Sequence, residues 1–258
     1  MAISSHNRTL QLLAFLGGVA GVLIIAVVGF WLMRPAGPTA GKLAGGEGVG
    51  AEVAATGAAG VQADAEGTVD LLKLVDLTRD NISGNWVADN SVLKGTGPGA
   101  VQIELPYRPP AEYDLTVRFQ REQGTGDVVV ICAAGNGTGG GGGEKQFAWN
   151  MGGEDNHLAG FGSIKGAAYR KNATTKRADA WVTNGMPQVL VIRVREDHLE
   201  VALDGREVLN AAVDYKDVGL WPGFAQHDKH TLGIHCSSPL TVLEVRVAEV
   251  TGHGVRMR

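Results

Sequence analysis

Three histidines and one aspartate near the C-terminus are the residue types that first suggest chemistry. His227, Asp228 and His230 lie in a polar, loop-like segment, and His235 follows inside an apolar run. Imidazole and carboxylate groups bind a transition metal only where the fold makes them converge on one point, and this spacing does not force it. We therefore expect a solvated loop here, with no metal site and no cofactor.

A glycine-rich stretch, GTGGGGG at residues 137–143, has the composition of a phosphate-binding loop. A P-loop also requires a Lys-Ser/Thr pair directly after the glycines and a helix whose N-terminus faces the phosphate. Neither follows here, so the sequence does not indicate a nucleotide site, and we interpret the stretch as a surface tip between two strands. No pattern assigns a catalytic residue.

Aromatic rings beside amide and charged groups are typical of saccharide sites, because indoles stack on sugars and polar groups bind their hydroxyls. The polar, basic segment YRKNATTKR at residues 169–177 is the best candidate for a recognition loop, and the alternative is a solvated turn. For each tryptophan the alternative is packing in the core, to which we assign Trp86. The predicted ligand-binding residues are Trp149, Asn172, Arg177, Trp181 and Trp221.

Short apolar runs separated by turn residues predict the strands that must position these side chains. In one of them Phe147 and Trp149 share a face, and Asn150 points to the other. The pair Asp204-Gly205 supplies the positive φ angles of a two-residue type I′ hairpin. The predicted strands cover residues 100–105, 113–121, 127–133, 146–151, 157–164, 188–195, 199–203, 206–213, 231–236 and 240–250.

Many short strands joined by tight turns, with no convincing helical period, indicate an all-β sandwich of jelly-roll type. In the last strand Val242, Val245 and Val247 can share one face only if a β-bulge lies between them. Cys132 and Cys236 lie in strand-like runs, where cysteine usually serves as a small core residue. A disulfide between them is the alternative if the compartment is oxidising.

An almost uninterrupted apolar run extends from Leu10 to Met33, with Gln11 as its only strongly polar member. As a helix this run is long enough to span the lipid bilayer. We favour an uncleaved anchor over a signal peptide, whose apolar region is usually shorter and is followed by a recognisable cleavage site. Gly17 and Gly21 form a G-x-x-x-G pair that would allow two such helices to pack closely as a homodimer.

The chain therefore divides into five predicted segments. These are a short N-terminal segment at 1–9, a transmembrane helix at 10–33, an Ala/Gly-rich linker at 34–67, a β-sandwich domain at 68–252 and a C-terminal tail at 253–258. The linker has no aromatic residue and no sustained apolar period, so we expect a disordered tether.

The charge of the chain argues against nucleic acid as a partner and only weakly indicates the orientation of the predicted transmembrane helix. The formal net charge of −4 gives no overall attraction to nucleic acid, which we do not expect as a partner. Basic residues flank both ends of the apolar run, so the positive-inside rule barely discriminates. Because the bulk of the protein follows the run, the layout is that of a signal anchor. We predict a single-pass protein of the cell membrane with an extracytoplasmic C-terminal domain.

From residue 69 to residue 252 the order of motifs resembles concanavalin A-like lectin/glucanase sandwiches. It is most similar to the 3-keto-disaccharide hydrolase-type domains of planctomycete proteins. The matching stretches are LVDLTRDNISGNWVADNSVLKG at 74–95, LPYRPPAEYDLTVRFQRE at 105–122, VRED at 194–197, LDGR at 203–206 and LEVRVAEVTG at 243–252. The resemblance implies a β-sandwich whose ligands or substrates are glycosides.

Two departures separate the chain from that pattern. The turn after the first tryptophan is Asp89-Asn90-Ser91 rather than an acidic residue followed by glycine. Glycosidases of this sandwich type carry a Glu-x-Asp-x-Glu strand whose alternate carboxylates face the sugar, and this chain has no such triplet.

We therefore predict a membrane-tethered, non-catalytic binding module for a saccharide or an exported partner protein. One alternative is a hydrolase or lyase acting on 3-keto-glycosides, which a resemblance in fold implies without establishing activity. The other is a structural subunit of an envelope membrane complex.

Overall fold

The computed structural model describes residues 67–134 and 145–257. Several predicted features lie outside these ranges: the transmembrane helix at 10–33 with its Gly17 and Gly21, nearly all of the linker, and the glycine tip at 137–143. Within the described ranges, no helix has the length and apolar character needed to cross a membrane.

Short strands account for most of the described chain. They are β1 (Thr68–Asp70), β2 (Asn81–Ser83), β3 (Asn85–Asp89), β4 (Val92–Thr96), β5 (Val101–Leu105), β6 (Tyr107–Arg108), β7 (Glu112–Arg121), β8 (Val128–Ala133), β9 (Gln146–Gly152), β10 (Leu158–Phe161), β11 (Ser163–Ile164), β12 (Ala167–Ala168), β13 (Lys176–Arg177), β14 (Gln188–Val194), β15 (His198–Leu203), β16 (Arg206–Ala212), β17 (Val218–Gly219), β18 (Leu232–Cys236), β19 (Leu240–Thr251) and β20 (Val255–Arg256). Single helical turns lie at α1 (Leu77–Asp80), α2 (Gly153–Asn156), Leu72–Leu74 and Pro222–Phe224.

Two antiparallel sheets account for most of these strands. The larger sheet has the order β16-β15-β14-β7-β19-β4-β3, with β1 also paired to β19. The smaller sheet has the order β13-β10-β9-β8-β18-β5-β2. Buried apolar side chains from both sheets form one continuous core. The described residues therefore form an all-β sandwich, as predicted.

The two sheets differ in what covers their outer faces. In the larger sheet β7, β14 and β15 alternate between buried and partly exposed residues, so its outer face is in contact with water. In the smaller sheet every residue of β5, β8, β9 and β18 is buried. A strand that is buried on both sides needs a second covering layer, and loops supply it here.

The predicted strands coincide with observed strands, with ends that differ by one residue. The prediction at 157–164 is divided into β10 and β11 at Gly162. The predicted hairpin is also confirmed, because Asp204 and Gly205 have φ angles of 50° and 76°. These positive values at both turn positions are those of a type I′ turn.

The bulge predicted in the last strand is confirmed in β19. The register between β19 and β7 shifts between Val242 and Glu244. As a result Val242, Val245 and Val247 are all fully buried, which a regular strand would not allow at this spacing.

Trp86 is a core residue, as predicted, with 8% of its surface exposed. It lies opposite Gly95 in the β3–β4 hairpin, and a β-carbon on that glycine would lie only 2.9 Å from the indole ring. The indole N–H donates to the backbone carbonyl of Gln102 at 3.1 Å. Since Gln102 belongs to the other sheet, this hydrogen bond links the two layers of the sandwich.

Cys132 and Cys236 are free thiols, and both are buried. Burial raises the pKa of the Cys236 thiol to about 12 and also raises the pKa of the Cys132 thiol. Both side chains are therefore protonated at neutral pH and serve as small core residues.

Candidate functional site

A row of residues crosses the outer face of the smaller sheet. Gln102 of β5 pairs with His235 of β18, which in turn pairs with Val129 of β8. Val129 pairs with Asn150 of β9, and Asn150 pairs with Gly160 of β10. Directly paired residues point to the same face of a sheet. The polar side chains of Gln102, His235 and Asn150 therefore share the outer face.

Two glycines on this face let polar side chains lie close to the sheet. A β-carbon on Gly162 would lie 3.2 Å from Nδ2 of Asn150. A β-carbon on Gly233 would lie 1.9 Å from Nε2 of Gln226. A larger residue at Gly233 would thus displace the Gln226 amide, and one at Gly162 would crowd Asn150.

Trp221 is 60% exposed, and yet its ring is supported from below. It meets the ring of Phe224 edge to face, with 5.1 Å between centroids. The Phe224 ring in turn lies 4.7 Å from the ring of His235 and packs on a small apolar cluster that includes Val129. A supported, exposed indole presents a flat apolar surface that a ligand can stack on with little loss of side-chain entropy.

Tyr169 and Arg170 reach the same site from the loop that packs on β10. The backbone carbonyl of Tyr169 would lie 3.3 Å from a β-carbon on Gly160, so any side chain there would push this loop slightly away from the sheet. The Arg170 guanidinium lies over the Tyr169 ring at 5.6 Å and 3.5 Å from a carboxylate oxygen of Glu154. The loop therefore presents an aromatic ring and a cation that is already paired.

These elements surround a cavity of about 420 Å³ on the outer face of the smaller sheet, which we call the Asn150 pocket. This volume and the mixture of apolar and polar groups are typical of small-molecule sites. The residues that line it are Asp127, Asn150, Gly162, Ala168, Tyr169, Arg170, Trp221, Phe224, His235 and Ser237.

Asn150 is the most unusual polar residue of the pocket. Only 1% of its surface is exposed, and its Nδ2 has no hydrogen-bond acceptor among the described residues. Leaving a buried amide donor unpaired costs about 1–3 kcal/mol. An oxygen atom of a bound ligand would supply the acceptor.

His235 is held in one tautomer by Gln102. The Gln102 amide Nε2 donates to the carbonyl oxygens of Phe224 and Ala225, at 3.2 and 3.1 Å, so its Oε1 faces Nδ1 of His235 at 3.2 Å. Nδ1 must therefore carry the proton in this bond. Burial lowers the pKa of His235, so the ring is neutral at pH 7. Nε2 is left as an acceptor, 3.4 Å from Oγ of Ser237.

Asp127 and Ser237 form the polar end of the pocket. The Ser237 hydroxyl donates to Oδ1 of Asp127 at 2.9 Å. Within the described part of the chain Asp127 forms no ion pair, so its second carboxylate oxygen can accept hydrogen bonds from ligand hydroxyls.

The groups in the pocket are suited to binding rather than to glycosidic hydrolysis. Hydrolysis of a glycoside usually requires two carboxyl groups that flank the bond, and Asp127 is the only one among the described lining residues. Glu104, on the same sheet face, is 4% exposed. It accepts hydrogen bonds from the Thr231 hydroxyl and the His227 N–H, both at 2.9 Å.

Two of the predicted ligand residues are core residues instead. Trp149 is 1% exposed and meets Phe161 edge to face at 5.2 Å between the sheets. Trp181 is 7% exposed, and its indole N–H donates to the carbonyl of His157 at 3.0 Å. Neither ring offers a face to a ligand, because both are packed in the core. Of the predicted tryptophans, Trp221 alone lines the pocket.

Asn172 and Arg177 lie in the predicted recognition loop but do not line the pocket. The Asn172 amide donates to the carbonyl of Phe161 at 2.8 Å and accepts from the N–H of Thr174 at 2.9 Å. Asn172 therefore shapes the loop that carries Tyr169 and Arg170. Arg177 is exposed on β13, with its guanidinium 3.7 Å from Glu154.

The histidines near the C-terminus pair with carboxylates rather than with each other. Nδ1 of His227 lies 3.2 Å from Glu104, and Nδ1 of His230 lies 2.8 Å from Asp228. Asp228 also lies 2.7 Å from Arg108. Across the described ranges no group of three metal-binding side chains converges.

The sequence alone did not single out Asn150, Asp127 or Ser237 as site residues. One signal was present in the period of β9, where Asn150 points away from the face shared by Phe147 and Trp149. Since that shared face is the core, Asn150 must face outward. Asp127 and Ser237 lie at strand ends and meet only because β8 and β18 are neighbours.

The sequence matches no protein-family model and no curated protein. Among solved structures, the chain is similar to the carbohydrate-binding module CBM66 from Bacillus subtilis, with 12% identity and a TM-score of 0.40 over 68% of this chain and 91% of that one. The exoplasmic/lumenal domain of VIP36 with Ca²⁺ and mannose has 11% identity and a TM-score of 0.47, over 66% of this chain and 82% of that one. The Crh5 transglycosylase in complex with NAG has 13% identity and a TM-score of 0.47, over 72% of this chain and 85% of that one.

Proposed function

We propose that this protein binds a saccharide in the Asn150 pocket and does not turn it over. The observation that carries this proposal is the exposed indole of Trp221, held over a pocket in which a buried amide donor, Nδ2 of Asn150, has no acceptor among the described residues.

An exposed indole suits one face of a pyranose ring, whose C–H groups are apolar. Trp221 is supported by Phe224 at 5.1 Å, so stacking would not require the ring to be ordered on binding. The partly buried ring of Tyr169 adds a second aromatic surface in the same pocket.

The polar groups of the pocket match the hydroxyls of a sugar, which both donate and accept hydrogen bonds. Asn150 supplies a donor and Asp127 an acceptor, and the Ser237 oxygen can also accept because its proton is donated to Asp127. His235 is neutral and presents Nε2 as an acceptor. One stacked ring with two or three hydrogen bonds typically gives a Kd between about a micromolar and about a millimolar.

Calorimetry and glycan-array binding on the full-length protein test the proposal. The detergent should have no sugar headgroup, because a glycoside detergent would compete for the pocket. We expect Trp221→Ala to abolish binding without changing the thermal midpoint. Met186→Ala is the matched control, since Met186 is also exposed, at 58%, and does not line the pocket. Saccharide binding that survives Trp221→Ala would contradict the proposal.

The same samples test the alternatives. Turnover of a 3-keto-glycoside by the wild-type protein would replace the binding function with the hydrolase or lyase that the resemblance implies. Absence of binding and turnover, together with a stoichiometric membrane assembly on purification, would favour the structural subunit. A concanavalin A-like identity for the sandwich stays a prediction from the sequence.

We also propose, from the sequence, that the apolar run from Leu10 to Met33 holds the domain at the cell membrane. An affinity in the range above is weak for a free protein, but tethering many copies to one surface raises the effective concentration of sites. Carbonate extraction tests the anchor: release of the protein at its full, uncleaved mass would overturn it.

Orientation is a separate proposal with its own measurement. We propose that the domain lies outside the cytoplasm, because the bulk of the chain follows the apolar run. Protease added to cells with a permeabilised outer membrane should then remove the domain. Survival of the domain until the inner membrane is lysed would place it on the cytoplasmic side.

A further inference from the structure

We propose that the saccharide is acidic, and that its carboxylate or sulfate group binds in a second cavity on the far side of Trp221. This inference rests on the proposed function of the Asn150 pocket and adds the class of ligand. We call the second cavity the lysine pocket; its volume is about 330 Å³.

The lysine pocket continues the Asn150 pocket along β9. Gln146, at the start of β9, lines the lysine pocket, and Asn150, near its end, lines the first pocket. Four residues of strand span about 13 Å. Trp221 lines both pockets. A ligand that fills both must therefore be an oligosaccharide that passes over the exposed indole.

Two lysine ammonium groups place positive charge at the lysine pocket. Lys145 and Lys229 line it, and both are exposed. Among the described residues that line this cavity there is no aspartate or glutamate. Nζ of Lys145 donates to the backbone carbonyl of Lys216, which positions the ammonium group without neutralising its charge. Within the described ranges neither lining lysine forms an ion pair with a carboxylate.

Two carboxylates in described segments next to these lysines or to the cavity wall are paired with other cations. Asp228, next to Lys229, lies 2.7 Å from Arg108. Asp217, close to the β17 strand that borders the cavity, lies 3.4 Å from Lys165. Neither Asp217 nor Asp228 therefore forms an ion pair with Lys145 or Lys229, and the two ammonium groups would attract an anion from solution.

Gln226 adds a neutral donor to the same cavity. Its Oε1 lies 3.4 Å from the Thr231 hydroxyl oxygen, and its Nε2 lies over Gly233. That nitrogen has no acceptor among the described residues. A carboxylate or sulfate oxygen accepts hydrogen bonds from ammonium and amide groups alike, so the donor types that line this cavity suit an acidic substituent.

The Asn150 pocket does not share this preference for an anion. It contains the carboxylate of Asp127, and its one guanidinium, that of Arg170, is 3.5 Å from Glu154. The two pockets together therefore select a ligand with a neutral sugar at the Asn150 end and an acidic sugar at the lysine end.

The test compares matched oligosaccharides that differ only in charge. Oligomers that alternate a neutral sugar with glucuronate, galacturonate or mannuronate are titrated into the full-length protein alongside their methyl esters, which have the same sugars without the charge. We expect the acid of whichever series binds to bind more tightly than its ester, by about 3- to 10-fold for two exposed ion pairs. That advantage should shrink as the salt concentration is raised.

The double variant Lys145→Gln/Lys229→Gln should remove the advantage of the acid, so that the acid and its ester bind with similar affinities. Its control is Lys73→Gln/Lys94→Gln, which removes the same charge from residues that pair with Asp70 and Asp89. If acids and esters bind equally, the acidic ligand is wrong and the saccharide-binding function stands. If neither neutral nor acidic oligosaccharides bind to the wild-type protein, the proposed function itself is overturned.

Discussion

His235 and Gln102 face each other across neighbouring strands of the smaller sheet, with 3.2 Å between the imidazole Nδ1 and the amide Oε1. The orientation of the amide is fixed because its nitrogen donates to two backbone carbonyls, those of Phe224 and Ala225. This contact sets the tautomer of the histidine and also ties the loop that carries Trp221 to the sheet. The stacking surface and the polar floor of the pocket are thus parts of one hydrogen-bonded unit.

Protonation of His235 would disturb this unit, so the stability of the protein should depend on pH in a defined direction. Burial lowers the pKa of His235 below its usual 6.5. Between the two pKa values the unfolded chain binds the proton and the folded protein does not. The contribution to stability is therefore present above about pH 6.5 and is lost as the pH falls towards the folded pKa.

Urea denaturation of the wild type and of His235→Gln, followed from about pH 7.5 to about pH 5, measures this contribution. The wild type should lose more stability than the variant as the pH falls. His198→Gln is the control of opposite sign. A hydrogen bond to Asp197 raises the pKa of His198, so its contribution is present below pH 6.5 and is lost as the pH rises. Equal slopes for the wild type and His235→Gln would show that His235 titrates normally.

Trp149 and Trp221 should respond to alanine substitution in opposite ways. Trp149→Ala empties a site in the core between the sheets, where the ring is 1% exposed, and should lower the free energy of unfolding by about 3–5 kcal/mol. Trp221→Ala should change it by less than about 1 kcal/mol, because the ring is 60% exposed. Chemical denaturation gives both values. A large loss at Trp221 would mean that the ring stabilises the fold.

Asn150 and Asn172 form a second contrasting pair. Asn150→Ala removes a donor that has no acceptor among the described residues, so we expect stability to change by less than about 1 kcal/mol and saccharide binding to weaken by about 2- to 10-fold. Asn172→Ala removes bonds to Phe161 and Thr174, and should lower stability by about 1–3 kcal/mol. Calorimetry measures the saccharide affinity of each variant, and chemical denaturation measures its stability. Unchanged saccharide affinity in Asn150→Ala would remove Asn150 from the site.

The ion pair between Arg108 and Asp228 should contribute to stability down to low pH. Burial alone would raise the pKa of Asp228, but hydrogen bonds from Arg108 and His230 outweigh burial and lower it to about 2. The contribution is therefore present above the usual value of 3.8 and is lost as the pH falls towards about 2.

At neutral pH we expect Asp228→Asn to lower the free energy of unfolding by about 1 kcal/mol, since both partners are partly exposed. Asp89→Asn is the control, because its pair with Lys94 is about half exposed on both sides and should contribute less. Denaturation midpoints at neutral and acid pH give the comparison. Equal losses in the two variants would show that the Asp228 pair gains nothing from its surroundings.

The strands and turns of the sandwich could be predicted because their signals are local. The alternation of residues in β14 and β15 and the Asp204-Gly205 turn between β15 and β16 depend only on neighbours in the sequence. The bulge in β19 followed from the spacing of Val242, Val245 and Val247, which a regular strand cannot bury together.

The candidate site was predicted only in part, because the sequence does not show which face of a strand is the core. The period of two placed Trp149 and Asn150 on opposite faces of β9 but did not decide which one faces inward. That depends on the opposing sheet, which buries the larger apolar ring and leaves the amide to the pocket. Trp221 was named among the candidates because it lies outside the strands, and its support by Phe224 and His235 came only from the folded chain.

The sequence by itself determined the all-β class, the bounds of the predicted strands to within one residue and the Asp204-Gly205 hairpin turn, since these follow from residue types and from spacings of a few positions. Only the tertiary structure decided that Asp127, Asn150, His235 and Ser237 share one pocket. These residues come from strands or strand ends that are distant in sequence and become neighbours through antiparallel pairing. The glycines at 160 and 233 then let the covering loops approach the sheet closely, and Gly162 leaves room for the Asn150 amide.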